Sequence, residues 1–230
     1  MPTPSASIAA SAAACLVLGC GGDDTGGPSD ALPDGAPATC MDTPGWSAAP
    51  AVGGGPVQET AAVALDGKIY VLGGFDATPS IVADVRIFDV ASCTWSAGPP
   101  LPRPVHHANA AVVDGTIYVL GAMAEGFAAI PDVWAWNPAA AGTTWLPRTG
   151  MPAGTQRGSA VTGAIDGVIY LAGGLRNGAV AQLSSYTPST DTWNTALPAL
   201  PQINDHGCGG VINGKLYVTG GRMGTTSSRS

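Results

Sequence analysis

The sequence predicts an all-β protein assembled from repeated four-stranded units, the last of them cut short. Three observations carry this. A nine-residue pattern recurs four times: DGKIYVLGG at 66–74, DGTIYVLGA at 114–122, DGVIYLAGG at 166–174 and NGKLYVTGG at 213–221. The copies begin 48, 52 and 47 residues apart, and Trp46, Trp95, Trp145 and Trp193 keep the same beat at 49, 50 and 48. The 230 residues include 33 Gly and 20 Pro but are only 11% charged, against roughly 25% in an average soluble domain. Such a composition suits turns and short strands rather than solvated helices.

Each element of the unit follows from local chemistry. Asp-Gly or Asn-Gly between two apolar runs signals a two-residue type I′ hairpin, because both central residues must take positive φ. A first strand precedes the turn (Ala61–Leu65, Ala110–Val113) and a second follows it (Ile69–Leu72, Ile117–Leu120). The second strand is apolar at successive positions, so both its faces are buried, as in a sheet packed between two others. A third strand ends in an aromatic residue (Phe88, Trp136, Tyr186) and a fourth carries the Trp. Four strands in a period of about 50 residues make one blade of a β-propeller. Blades are expected at 58–97, 107–147 and 158–195.

The pattern resembles the Kelch repeat family, whose blades carry a Gly-Gly pair after the second strand, a Tyr-Asp-Pro-like turn after the third and a Trp in the fourth. Gly73-Gly74, Gly173-Gly174 and Gly220-Gly221 match the pair, and Gly121-Ala122 departs from it. Phe88-Asp89, Trp136-Asn137-Pro138 and Tyr186-Thr187-Pro188 match the turn loosely. The resemblance runs from Gln58 to Met223 and implies a fold, not a function. It implies a Kelch-type β-propeller that is incomplete within this chain, with three four-stranded blades and the first half of a fourth. The segment around Trp46 reads as a lone closing strand, and the unfinished blade as an exposed sheet edge prone to pair with other chains.

The N-terminus reads as an address. Residues 8–19, IAASAAACLVLG, are apolar but too few to span a bilayer, which takes about 20. They suit the apolar core of a signal peptide over residues 1–19. Val17-Leu18-Gly19-Cys20 resembles the lipobox of bacterial lipoproteins, which implies Cys20 as the lipid-bearing first residue after cleavage. MPTPSAS ahead of it departs from such signals in lacking Lys and Arg. Residues 20–56, rich in Gly, Pro and Asp, hold too little apolar surface to fold and read as a tether containing the Trp46 strand; blades occupy 57–230. The expected place is the cell envelope, with the protein lipid-anchored to the outer membrane or cell surface.

The charge of −7 and the scatter of the basic residues argue against nucleic-acid backbone binding. Attachment to a membrane is expected only through the lipid on Cys20. Seven residues ahead of each hairpin turn stand Glu59, His107, Ser159 and His206, at the head of each first strand. First strands line a propeller's channel, so these side chains should ring one mouth of it, with Arg103, His106, Arg157 and Asp205 beside them. Loops carrying Asp76, Glu125, Arg176, Asn177 and Arg222 should border the same face.

Such residues fit a polar pocket that could hold a protein or glycan ligand, or a metal ion through two histidines and a carboxylate. They also fit hydrogen bonds between blades, a common role of Arg and His in Kelch-like repeats and the favoured expectation. No metal or other cofactor is expected. No His-x-His or His-x₃-His spacing is present, and adjacent His106 and His107 should point to opposite sides of a strand. No catalytic residue is expected either. A carbohydrate-active enzyme of the galactose-oxidase or mutarotase kind is the alternative reading, and a nonfunctional fragment of either class is another. Tyr70, Tyr118, Tyr170 and Tyr217 share one repeat position and read as core rather than as copper ligands. Cys40 and Cys93 are a disulfide candidate, and Cys208 reads as a small buried hydrophobe.

Overall fold

The protein is described by a computed structural model covering residues 49–142 and 144–223, with the backbone of Thr226–Ser227. The signal segment, Cys20, Cys40 and Trp46 lie outside the described residues. Among the described residues no helix is long and apolar enough to cross a membrane.

Three four-stranded antiparallel sheets follow one another along the chain. Blade one pairs Ala61–Leu65, Lys68–Leu72, Val85–Asp89 and Thr94–Ala97 in sequence order. Blade two uses Ala110–Val113, Thr116–Ala124, Ala128–Trp136 and Leu146–Arg148. Blade three uses Val161–Ile165, Val168–Ala172, Leu183–Thr187 and Thr192–Asn194. A fourth sheet contains Cys208–Ile212 and Lys215–Thr219 alone. The described residues thus fold as three full blades of an incomplete propeller and half of another.

The hairpin chemistry works as the sequence requires. Asp66 (φ 48°) and Gly67 (φ 71°), Asp114 (48°) and Gly115 (70°), Asp166 (49°) and Gly167 (77°), and Asn213 (51°) and Gly214 (69°) are all left-handed, which defines the type I′ turn. Two clusters of apolar side chains then hold neighbouring blades together. In blade two, Ile117, Val119, Trp134 and Trp136 pack toward blade one, while Tyr118, Leu120, Val133 and Ala135 pack toward blade three. Alternation along each strand sends successive side chains to opposite interfaces. That is why the second strands read as unbroken apolar runs.

The Trp beat has a specific cause. In each full blade the third-strand aromatic packs on the Trp, with ring centroids 5.0 Å apart for Phe88 and Trp95, 5.6 Å for Trp136 and Trp145, and 5.1 Å for Tyr186 and Trp193. Each indole N–H donates to a carbonyl of the chain leading into its blade: Trp95 to Pro50 at 3.2 Å, Trp145 to Pro99 at 3.0 Å and Trp193 to Thr149 at 2.9 Å. The outer strand is thereby tied to the linker. Trp145 itself stands just ahead of the short strand Leu146–Arg148.

The Gly-Gly pair marks where the next linker crosses the sheet. A Cβ on Gly173 would come 2.4 Å from the carbonyl oxygen of Asn204, and one on Gly174 would come 2.7 Å from that of Gly158. Ala122 occupies the second position in blade two, and there the strand does not turn away. It continues past a register shift between Leu120 and Ala122 to Ala124, and Glu125–Phe127 close a protruding hairpin.

The tyrosines at the shared repeat position do not all reach a core. Tyr70 and Tyr118 are buried, Tyr170 is half-buried and Tyr217 is exposed. The outer edge of Lys215–Thr219 pairs with no strand among the described residues, so Tyr217 has no third strand beside it.

Candidate functional site

Glu59, His107, Ser159 and His206 share an unusual backbone: φ is 54°, 52°, 53° and 51°. These left-handed values, uncommon outside Gly, kink the chain just ahead of each first strand. The kinked residues then pair from blade to blade. The N–H of His107 donates to the carbonyl of Glu59 at 2.8 Å, that of Ser159 to His107 at 2.8 Å, and that of His206 to Ser159 at 3.2 Å. A hydrogen-bonded arc results, running through four blades.

Each kink is anchored from the other side as well. The residue before it forms an antiparallel bridge with the residue just past the glycine pair: Gln58 with Phe75, His106 with Met123, Gly158 with Leu175 and Asp205 with Arg222. The loops beyond the glycine pairs are therefore held against the arc. Phe75 and Phe127 bring aromatic rings to 4.3 and 4.7 Å from His106, and Phe127 stands 5.7 Å from His107 while remaining 54% exposed.

The side chains of the arc converge. The Nε2 atoms of His107 and His206 lie 2.8 Å apart, and Oε2 of Glu59 is 3.1 Å from the first and 3.7 Å from the second. His107 is nearly enclosed, with 3% of its side chain exposed, and Glu59 is the most open at 34%. Asp205 accepts from Nδ1 of His206 at 2.8 Å and from Nε of Arg222 at 3.2 Å. The Arg222 Nη2 also reaches the His206 ring. Burial, followed by the neighbouring His206, His106 and Arg222, drives the pKa of His107 down to about 3. Burial lowers that of His106 too, against the pull of the Ala124 carbonyl and Glu59.

Of the residues expected at the channel mouth, Glu59, His106, His107, Asp205 and His206 contact one another in a chain, and two lie apart from them. Arg157 is fully buried beneath the arc. It donates to the carbonyls of Gly173 at 2.6 Å, Thr155 at 2.9 Å and Leu171 at 3.0 Å, so it braces the linker against blade three. Burial draws its pKa down to about 10. Arg103 points instead to Asp132 on the third strand of blade two, at 3.6 Å. Among the bordering loops, Asp76 is occupied within its own turn, accepting from the N–H groups of Thr78 at 2.8 Å and Ser80 at 3.0 Å.

A second correction concerns the adjacent histidines. His106 and His107 do not point to opposite sides of a strand, because the strand begins only at Ala110 and the kink at His107 turns its ring back. Their Nδ1 atoms are 2.5 Å apart. Cys208 also differs from expectation: it is half-buried and disulfide-bonded, as is Cys93. Two participants had no signal in the repeat register, namely Phe75 and Phe127. Only the loss of the second glycine at Ala122 hinted that blade two differs here.

A family model described as the KLHDC2/KLHL20/DRC7 Kelch-repeats domain matches residues 7–221. The chain belongs to the Kelch-repeat family. Kelch-like protein terF of Aspergillus terreus is 35% identical over 189 residues, covering 73% of this chain and 39% of the relative. Kelch-like protein 35 of Mus musculus is 30% identical over 160 residues, covering 70% of this chain and 26% of the relative. This Kelch chain therefore spans well under half the length of either relative. Among solved structures, that of YjhT aligns with a TM-score of 0.66 at 18% identity, covering 77% of this chain and 62% of that one. At that identity the likeness is one of fold.

Proposed function

We propose that this Kelch-repeat chain is an exported, lipid-anchored binding module that takes a protein ligand at the channel mouth. Kelch repeats generally serve as interaction modules. The observation that carries the reading is the Phe127 hairpin: an exposed aromatic ring set 4.7 Å from the enclosed His106, with Phe75 as the second wall. Rigid aromatic anchors next to desolvated polar groups are the usual centre of a binding surface. The mouth offers both signs of charge, through Glu59 and Arg222. Cys20 supplies the anchor, and residues 20–56 the reach to a partner.

The test is selection from a random peptide display library with wild-type protein, followed by Phe127→Ala. Loss of the selected peptides with an unchanged melting curve supports the reading. Selection of nothing, while a glycan array is bound in a Phe127-dependent way, would replace the protein ligand with a carbohydrate. For the anchor, radiolabelled palmitate should enter the chain in a bacterial host and should not enter Cys20→Ser; equal labelling of both would remove the lipid from the proposal.

A further inference from the structure

We infer that Glu59, His107 and His206 form a binding site for a divalent transition-metal ion of the zinc class, with at least one coordination position open to the channel mouth. These three offer one ligand atom each, and the atoms lie within 4.8 Å of one another. Ligands about 2.0–2.1 Å from a zinc ion stand roughly 2.9–3.4 Å apart, depending on the coordination angle. The separations of 2.8, 3.1 and 3.7 Å straddle that range.

The hydrogen-bond partners fix which atoms are free to ligate. Nε2 of His106 lies 3.1 Å from the carbonyl of Ala124, which can only accept, so that nitrogen carries hydrogen. His106 sits between Phe75 and Phe127, surroundings that favour a neutral ring. Its Nδ1 is then an acceptor, and Nδ1–H of His107 donates to it at 2.5 Å. This leaves a lone pair on Nε2 of His107. In the same way Nδ1–H of His206 donates to Asp205, leaving a lone pair on its Nε2. The Nε2 atoms of His107 and His206 and a carboxylate oxygen of Glu59 thus face one another at contact distance, and a metal cation among them would hold all three where a shared proton joins only two. His106 and Asp205 are the outer partners that orient metal-bound imidazoles, and carboxylate–histidine–metal chains of the Asp205–His206 kind are their usual form.

Two imidazoles and one carboxylate favour zinc and its neighbours in the first transition row over calcium or magnesium. Among the described residues Arg222 is the cation that reaches the cluster, and its Nη2 competes with a metal for the His206 ring. Removing an ordinary ligand weakens metal binding, whereas removing Arg222 strengthens it.

The experiment titrates zinc chloride into the full chain, stripped with chelator, by isothermal calorimetry at about pH 7.5. One zinc per chain is expected. Glu59→Gln, a half-exposed and shape-conserving change, should weaken binding about tenfold or more, His206→Ala should abolish it, and Arg222→Ala should tighten it severalfold. Melting curves of the metal-free variants separate lost ligation from lost fold, and Glu59→Gln carries the test if His206→Ala unfolds. Absence of saturable binding, or wild-type affinity in Glu59→Gln and Arg222→Ala alike, overturns the inference.

Discussion

The side-chain amide of Asn109 donates to the backbone carbonyl of Arg157 at 2.8 Å, and its Oδ1 accepts the N–H of Ala160 at the same distance. One buried side chain thereby joins blade two to the chain entering blade three. Its Nδ2 also meets the carbonyl of Leu120 at 2.8 Å. Asn109→Ala would leave several buried backbone groups unpaired, each worth about 1–3 kcal/mol. We expect a loss on the order of 3 kcal/mol in urea unfolding; an unchanged urea midpoint would show that these carbonyls find other donors.

Trp145 is expected to separate packing from hydrogen bonding. It is buried against Trp136 and donates to Pro99. Trp145→Phe keeps a ring but leaves that carbonyl without its donor, for about 1–2 kcal/mol. Trp145→Ala opens a cavity as well and should cost about 3–5 kcal/mol. Equal losses in thermal unfolding would mean that the tie between blade and linker carries all of the effect.

How much of this was legible in the sequence depends on how local each feature is. Asp66-Gly67 and its three counterparts dictate their hairpins within two residues, so the strands and blade count could be read directly. Counting back from them also located Glu59, His107 and His206, because the repeat preserves register. The direction of those side chains could not be read: alternation along a strand says nothing about His107, whose positive φ lies outside any strand. Metal-ligand spacing rules say nothing about this cluster, because they describe ligands on one element, and Glu59, His107 and His206 come from three different blades.

Acid should destabilise the metal-free fold through His107. In the unfolded chain a histidine takes up its proton as pH falls through about 6.5, but folded His107 resists until about 3. The unfolded state therefore binds more protons between these values, and stability declines as pH falls through that window while being fully present above it. The groups facing the ring are Glu59, His106, His206 and Arg222. Urea midpoints measured in chelator from about pH 7 to 4 should fall more steeply for wild type than for His107→Asn, which has no proton to gain. Parallel slopes would assign the acid sensitivity elsewhere.

Gly154 and Gly174 allow strain and collision to be told apart. Gly154 has φ +79° and nothing within 4 Å of the position a Cβ would take, so Gly154→Ala should incur only the left-handed penalty of about 1–2 kcal/mol. Gly174 has φ +118°, and a Cβ there meets the carbonyl of Gly158 at 2.7 Å and Cδ of buried Arg157 at 3.0 Å. Neither neighbour can retreat easily, since the Gly158 carbonyl accepts from Leu175 and Arg157 is held by three backbone carbonyls. Gly174→Ala should therefore be the more damaging, by at least about 2 kcal/mol over Gly154→Ala. Because the displaced carbonyl sits next to Ser159, the backbone arc joining His107 to His206 should loosen with it. Faster hydrogen exchange at the His206 amide in Gly174→Ala than in Gly154→Ala is the expected result, and equal protection would show that the glycine pair packs the blade without setting the arc.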